Sequence, residues 1–461
     1  MVFATVLVGH LASPMAVSAD SLRAVFVGVA MLRRGELDLQ GFSPAWTMGT
    51  DFGIVRAGGA WLPFFPWAPS LFVVPLLAVA DVLLRATGGG SIEDRLSVSY
   101  TQWPFEVASM SLVVALTAMV VHAIARARLA ALPARRREVV AVVVALVFAF
   151  GTSAWSTSSR SLWQHGPAML FSCLALLGAV KLEAAGTRAR WPALLLGASA
   201  ASAFAMRPTS SLLIIALGLW LLARRPAAIG WAVLGGTVVT SLFVAVNLSQ
   251  YGQVLPGYFL PGDTEFGAAR GDLSQALLSN LVSPARGLLV FSPVLLLAFA
   301  GLALRVRRRE WDLLDLSCLG LVVAHWVLVS SFADWWGGYS YGSRFMSDVI
   351  PPMVLLSLPA VAWLTQPRPP GASRRAVVAT ARVATAVLVV VSVAVHAEGA
   401  ITRSSWCWNS LPADVNLHPE RLWDWSDAQV TAGVRGIATN GWAAETVRGG
   451  TAQHGCEGLA R

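Results

Sequence analysis

Residues 104–156 read PFEVASMSLVVALTAMVVHAIARARLAALPARRREVVAVVVALVFAFGTSAWS. Two apolar runs, 104–125 and 139–156, are each long enough to cross the hydrocarbon core of a bilayer as a helix. Between them lies a short connector carrying Arg126, Arg128, Arg135, Arg136 and Arg137. Arginines resist translocation, so this connector belongs on the cytoplasmic side and both helices leave it toward the outer face. The chain as a whole has the same character. Of its 461 residues 56% are hydrophobic and 13% charged, against roughly 25% charged in a soluble domain, which excludes a soluble enzyme.

Further runs of spanning length lie at 2–18, 166–182, 191–206, 209–223, 229–248, 287–304, 313–332, 350–365 and 378–396. The expected fold class is an all-α polytopic membrane protein with about eleven transmembrane helices. A twelfth run, Trp67 to Leu84, carries Pro69, Pro75 and Asp81. If it crossed, the Arg126–Arg137 cluster would move outside, so it is placed on the outer surface. Lys181, Arg188 and Arg190, then Arg224 and Arg225, then Arg305 to Arg309, then Arg368, Arg374 and Arg375 all fall inside with that choice. The expected topology has the amino terminus in the cytoplasm and the carboxyl terminus outside, in the inner (plasma) membrane of a bacterium. A membrane domain over 1–397 is followed by a small outer-face tail over 398–461. A cleaved secretory signal ending at Val17-Ser18-Ala19 is the weaker alternative for the first span, because no basic stretch precedes it.

The long first outer loop, 18–103, holds two stretches with the pattern of interfacial helices, Asp20–Gly35 and Trp67–Arg85. Apart from Glu138, Glu183, Glu310, Asp312 and Asp315, every Asp and Glu falls on the outer side, so acid chemistry is expected there. Asp20 stands at the end of the first span and is either an N-cap or a general base, roles that do not exclude each other. The stretch Gly58–Pro75 (GGAWLPFFPWAPSLFVVP) is an interfacial anchor or a rigid wall for a lipid-linked or carbohydrate ligand. Arg160 and His165 flank Trp163, Arg207 sits in an outer turn (AMRPTSS), and Arg286 enters a span (SPARGLLVFSP). Each is a snorkelling arginine or histidine at a membrane edge, or part of a phosphate clamp. The stretch Asp334–Asp348 (DWWGGYSYGSRFMSD) combines aromatics suited to sugar rings, glycines that allow close approach, and Arg344 for a phosphate. Cys407 and Cys456 both lie in the outer tail and form a disulfide if that compartment is oxidising. No metal-ligand spacing and no phosphate-binding GxxxxGK[ST] loop occurs, so no cofactor is expected and a divalent metal requirement stays open.

In the order and side of these motifs the chain resembles the GT-C glycosyltransferases that use polyprenyl-phosphate sugars. The resemblance is to the bacterial relatives of protein O-mannosyltransferases and of the lipid A aminoarabinose transferase, over about residues 1–400. It rests on SADSLRAVFVGVAMLRRGELDL, LPFFPWAPSLFVVP, RPTSS, VNLSQYGQVLPGY, SPARGLLVFSPV and WWGGYSYGSRF before a Pro-Pro pair. It implies a catalytic base after the first span, which maps to Asp20. The family often has paired acids there, whereas this chain has Asp20-Ser21. Asp51 is the second choice, with Glu36 and Asp38 behind it.

The implied activity is inverting transfer of a sugar from a polyprenyl-phosphate donor to a hydroxyl of a glycan, lipid or protein acceptor in the cell envelope. Arg344 is the preferred phosphate contact, with Arg207, Arg286 and His165 as helpers, and Trp335, Trp336 and Tyr339 lining the sugar or prenyl site. The partners are this donor, its acceptor and the bilayer, with no nucleic acid. A transporter or flippase of lipid-linked sugars is the alternative, disfavoured because the spans hold few charges, Arg382 being the clear case, and no repeat is evident. An inactive scaffold with a partner-binding tail is a third. The net charge of +9 then records topology: basic residues gather in the inner loops and acids outside.

Overall fold

The computed structural model describes residues 1–17, 20–42, 53–98, 102–185, 190–259, 272–310, 312–366, 372–448 and 456. In chain order the elements used below begin with α1 (Val2–Ala12), α2 (Ala24–Arg34), β1 (Ile54–Ala57), β2 (Ala60–Pro63), α3 (Val74–Ala86) and α4 (Ile92–Val98). The bundle continues with α5 (Trp103–Arg128), α6 (Ala134–Phe150), α7 (His165–Ala184), α8 (Arg190–Met206), α9 (Ser211–Arg224) and α10 (Ile229–Tyr251). It ends with α11 (Leu273–Val282), α12 (Leu296–Arg308), α13 (Leu313–Ser330), α14 (Ile350–Leu364), α15 (Ala372–Ile401) and α16 (Ala432–Asn440).

This is a helical polytopic membrane protein. Ten of the eleven expected spans each overlap one of these α-helices; the run 287–304 is broken at Ser292-Pro293 into a short helix, Leu288–Phe291, and α12. Among the described residues six segments have the length and apolarity to cross a membrane on their own: Trp103–Arg128, His165–Ala184, Pro226–Tyr251, Leu313–Ser330, Arg344–Leu364 and Arg375–Ile401. The first expected span, 2–18, is shorter as a helix. α1 stops at Ala12, and Ser13 is extended at φ −70° and ψ 130° because it precedes Pro14. The chain then runs straight, with Met15 N–H donating to Ala400 (3.2 Å) and Val17 N–H to Arg160 (3.0 Å). This pins the entry to the Asp20 turn.

The run Trp67–Leu84 is a 3₁₀ turn over Ala68–Phe72 followed by α3. Asp81 ties α3 to the rest of the segment between α1 and α5. It accepts from Arg85 Nε (2.9 Å), Arg33 Nη1 (3.4 Å) and Ile92 N–H (2.9 Å), tying α3 to α2 and α4. Ahead of it β1 and β2 form an antiparallel hairpin, Ile54 opposite Pro63 and Ala57 opposite Ala60. Gly58 and Gly59 supply the two positive φ angles, 58° and 85°, that such a two-residue turn requires. The hairpin docks on α10: Tyr251 O–H donates to Pro63 O (2.9 Å), and Trp67 Nε1 donates to Asn247 Oδ1 (2.8 Å) while stacking on Phe243.

Inside a bilayer lipid tails are as apolar as leucine, so helices associate through close packing of small residues. α8 and α10 do so at Gly197 and Gly235. A methyl built on Gly197 would overlap the Ala232 carbonyl, and one on Gly235 would meet the Leu194 carbonyl. Gly197→Leu is therefore expected to push the two helices apart and cost about 3 kcal/mol or more. The check is the thermal or denaturant unfolding of the detergent-solubilised chain. The half-buried Gly218, with nothing within 4 Å of a built Cβ, is the control position.

Two polar clusters sit at opposite ends of the same helices. At one end Arg128 bonds Glu183 (2.8 Å), Asp312 (2.6 Å) and Asp315 (2.7 Å), and Arg305 bonds Asp315 (2.9 Å). At the other end α5 starts near Glu106 and α7 starts at His165. With 26 residues α5 measures about 39 Å at 1.5 Å per residue, which separates the clusters by a membrane's thickness.

Candidate active site

Asp20 and Arg344, which are 324 positions apart, meet as an ion pair of 2.9 Å between Oδ2 and Nη1. The arginine side chain is only 5% exposed, whereas the carboxylate is 21% exposed and so reaches the cleft. Asp20 is not an N-cap. α2 starts at Ala24 with Arg23 in the cap position and no side-chain cap bond, while Asp20 lies in the turn before it. Its charge is met by the guanidinium, a stronger partner than a backbone amide.

The glycines of the WWGGYSYGSR stretch set Arg344 in place. Gly337 has φ 73°, and a Cβ there would crowd Arg344 Nε at 3.3 Å. Gly342 has φ 66°, and a Cβ would collide with the Phe291 ring at 2.6 Å. The guanidinium lies over the rings of Trp163 (4.8 Å) and Phe345 (5.1 Å), which fix its orientation.

A cleft opens beside Asp20. Asp20, Arg23, Trp163 and Gln164 supply its polar groups, and α2 and the proline-rich stretch, with Phe65, Trp67 and Pro69, form an apolar wall. Gln164 Nε2 donates to the Tyr258 hydroxyl at 2.7 Å. Phe64 and Phe65 meet the Tyr258 ring edge-on at 4.8 and 5.6 Å. Burial first, and then the Asp20 carboxylate, push the Tyr258 phenol above its ordinary value, so it stays protonated; Arg207 and Arg344 act in the opposite direction. One tyrosine thus senses Asp20, Arg207 and Arg344 together.

Arg207 heads a second cluster at the same end of the bundle. Its Nη1 donates to Asp348 Oδ2 (2.6 Å) and to His165 Nδ1 (3.0 Å). A guanidinium can only donate, so His165 carries its proton on Nε2. Thr209 Oγ1 also donates to Asp348 (3.0 Å), and His325 Nε2 donates to Phe345 O (2.9 Å). Arg207 is therefore already neutralised by Asp348, and it lies 5.5 Å from the centre of the Phe345 ring, which Arg344 also contacts.

Arg286 is placed differently from Arg207 and Arg344. Its Nε donates to Trp336 O (2.8 Å), Nη1 to Ala285 O (2.8 Å) and Gln429 Oε1 (2.5 Å), and Nη2 to Gly338 O (3.0 Å) and Asn409 Oδ1 (2.8 Å). Burial, with Arg344 and Arg421 adding positive charge nearby, pushes this guanidinium down to about 9, so it remains charged at neutral pH. Apart from the neighbouring Ala285 carbonyl, the oxygens that accept from it belong to the Arg344 loop and the carboxyl-terminal segment. Trp335 packs with Trp408, Val415 and Leu422; Trp336 Nε1 donates to Asn416 (2.9 Å); Tyr339 donates to Asp414. These three aromatics face the carboxyl-terminal segment and not the Asp20 cleft. That segment is folded onto the bundle, with Trp406 buried, and Cys407 is disulfide-bonded to Cys456.

Glu36 accepts from Arg34 Nε (2.9 Å), and Asp38 accepts from the N–H groups of Gln40 and Trp61 (3.0 and 2.9 Å), so both are engaged within the segment between α1 and α5. Asp51 lies outside the described residues. Arg160 donates to the carbonyls of His10, Ser13 and Met15 and anchors the strand leading to Asp20. Among the described residues no cluster of three or more His, Cys, Asp or Glu could hold a metal ion.

Four residues at this site were not singled out from the sequence: Arg23, Gln164, Tyr258 and Glu106. Arg23 had a local signal, three positions after Asp20, and Glu106 was the lone acid of an apolar run, which itself marks a functional position in a membrane helix. Tyr258 closes the VNLSQYGQVLPGY stretch, but only the tertiary fold brings it together with Gln164.

No family model matches the chain, and no curated protein matches it. Among solved structures the chain is similar to ArnT from Cupriavidus metallidurans bound to undecaprenyl phosphate, at 14% identity and a TM-score of 0.49, covering 95% of this chain and 74% of that one.

Proposed function

We propose that the chain transfers a sugar from a polyprenyl-phosphate donor to an acceptor hydroxyl at the outer face of a bacterial plasma membrane, as a GT-C glycosyltransferase. The observation that carries this is the pairing of a cleft-facing Asp20 with a buried, ring-oriented Arg344 at the membrane-edge end of the bundle. A carboxylate and a guanidinium side by side are the two groups that such a transfer needs.

In the resting chain Arg344 is engaged by Asp20. A donor phosphate entering beside them competes for the guanidinium, whose planar fork suits phosphate oxygens, and Arg23 adds a second positive charge along the cleft. Asp20 then accepts the proton of the acceptor hydroxyl. The acceptor oxygen attacks the anomeric carbon, the bond from that carbon to the phosphate oxygen breaks with its electron pair, and polyprenyl phosphate leaves. Attack opposite the leaving group inverts the anomeric centre. The apolar wall of Phe65, Trp67 and Pro69 gives the lipid end of the donor a dry surface.

The test supplies purified chain, reconstituted in liposomes, with a polyprenyl-phosphate hexose labelled in the sugar, and an envelope extract as acceptor. Label is expected to move to the acceptor while polyprenyl phosphate is released. Label that only changes leaflet while staying on its lipid would overturn the proposal in favour of a flippase.

A further inference from the structure

Glu106, in the first turn of α5, is 1% exposed, and among the described residues no Lys or Arg pairs with it. One of its oxygens, Oε2, accepts three hydrogen bonds: from Ser21 Oγ (2.8 Å), Ser161 Oγ (3.1 Å) and Leu162 N–H (3.0 Å). Ser21 and Ser161 also touch each other at 2.5 Å. Its other oxygen, Oε1, is buried with no hydrogen-bond partner. None of the three donors belongs to α5, so the carboxylate is not a helix cap. Burying such a group costs several kcal/mol, and an apolar residue would serve the helix better.

The three donors share one property. Ser21 follows Asp20 directly, and Ser161 and Leu162 directly precede Trp163 and Gln164. Trp163 lies under Arg344 and Gln164 holds Tyr258. A single buried oxygen therefore ties the turn that carries the base to the loop that carries the wall opposite it. We propose that Glu106 is a positioning residue that fixes Asp20 relative to Trp163, and through that ring relative to Arg344, within the transferase site. This rests on the function proposed above. Glu106 itself is not aimed at the cleft and takes no proton from the acceptor.

The test uses the full chain in detergent, as wild type, Glu106→Gln, Glu106→Ala and Ser21→Ala. Hydrogen exchange read by mass spectrometry is the first arm. Glu106→Ala is expected to speed exchange in peptides covering 20–24 and 161–164 by about tenfold or more while α7 and α13 stay protected. Glu106→Gln, whose amide oxygen can accept the same bonds, stays near wild type. Transfer kinetics form the second arm. Glu106→Ala is expected to lower kcat by about 10²-fold, the scale of a misplacement near 1 Å, with little change in the donor KM. Glu106→Gln restores most of the rate, and Ser21→Ala falls between.

Unchanged exchange at 20–24 and 161–164 in Glu106→Ala overturns the positioning role whatever the rates are. Glu106→Gln as slow as Glu106→Ala also overturns it, because the carboxylate would then act by its charge. The expected exchange pattern in a wild-type chain that transfers nothing would leave the positioning intact and remove the transferase function. If Glu106→Ala fails to fold, Ser21→Ala carries both arms, and wild-type rates and exchange in that variant contradict the proposal.

Discussion

Asp20→Asn is expected to slow sugar transfer by about 10² to 10⁴ while the protein remains folded and inserted, since that is the range for removing a positioned general base. Asparagine keeps the size of the side chain and one oxygen that can still accept from Arg344, so the turn between the first helix and α2 is retained. What is lost is the capacity to accept the acceptor's proton. Initial rates with a labelled donor check this, and donor KM is expected to change less than kcat, because the carboxylate contributes mainly to the transition state. A variant that transfers at the wild-type rate removes Asp20 from the role, and Asp51 becomes the acid to test.

Arg344→Leu is expected to lower kcat/KM by about 10² to 10³, through loss of the donor that meets the charge developing on the leaving phosphate. The side chain does three things at once. It holds Asp20 at 2.9 Å, lies over Trp163 and Phe345, and sets its guanidinium directly behind two residues that line the cleft, Asp20 and Trp163. Arg344→Lys is expected to recover only part of the rate, because an ammonium lacks the planar fork and stacks less well on the two rings. By contrast, Arg207→Lys is expected to act less strongly on the donor, since Asp348 already neutralises Arg207 at 2.6 Å. Donor concentration series for the three variants separate these effects.

The membrane class and the positions of the helices were legible because hydrophobic runs and arginine-rich connectors report directly on the bilayer. Helix ends were less so. The first helix stops at Ala12 because of one proline, although the apolar run continues to residue 18. Asp20 and Arg344 were both legible as charged groups next to a membrane edge, but their contact across 324 positions is a product of the fold alone.

The aromatic-rich segment Trp335 to Tyr339 has the composition of a sugar site, and composition does not say which way its rings face. Trp335, Trp336 and Tyr339 turn toward the carboxyl-terminal segment, held there by Arg286, Gln429 and Asn409. Arg286 illustrates the same limit: five protein oxygens consume its donors, and no local pattern distinguishes such an arginine from one that is available to a phosphate. Glu106 is the one acid within the run 104–125, yet nothing local shows which groups its carboxylate meets.

The most direct test of the central claim is a structure of the full chain in nanodiscs with an unhydrolysable polyprenyl-phosphate sugar analogue. The phosphate is predicted within hydrogen-bond distance of Arg344, with the anomeric carbon facing an Asp20 carboxylate that has left the guanidinium. A lipid phosphate bound elsewhere, with the Asp20–Arg344 pair intact, would contradict it.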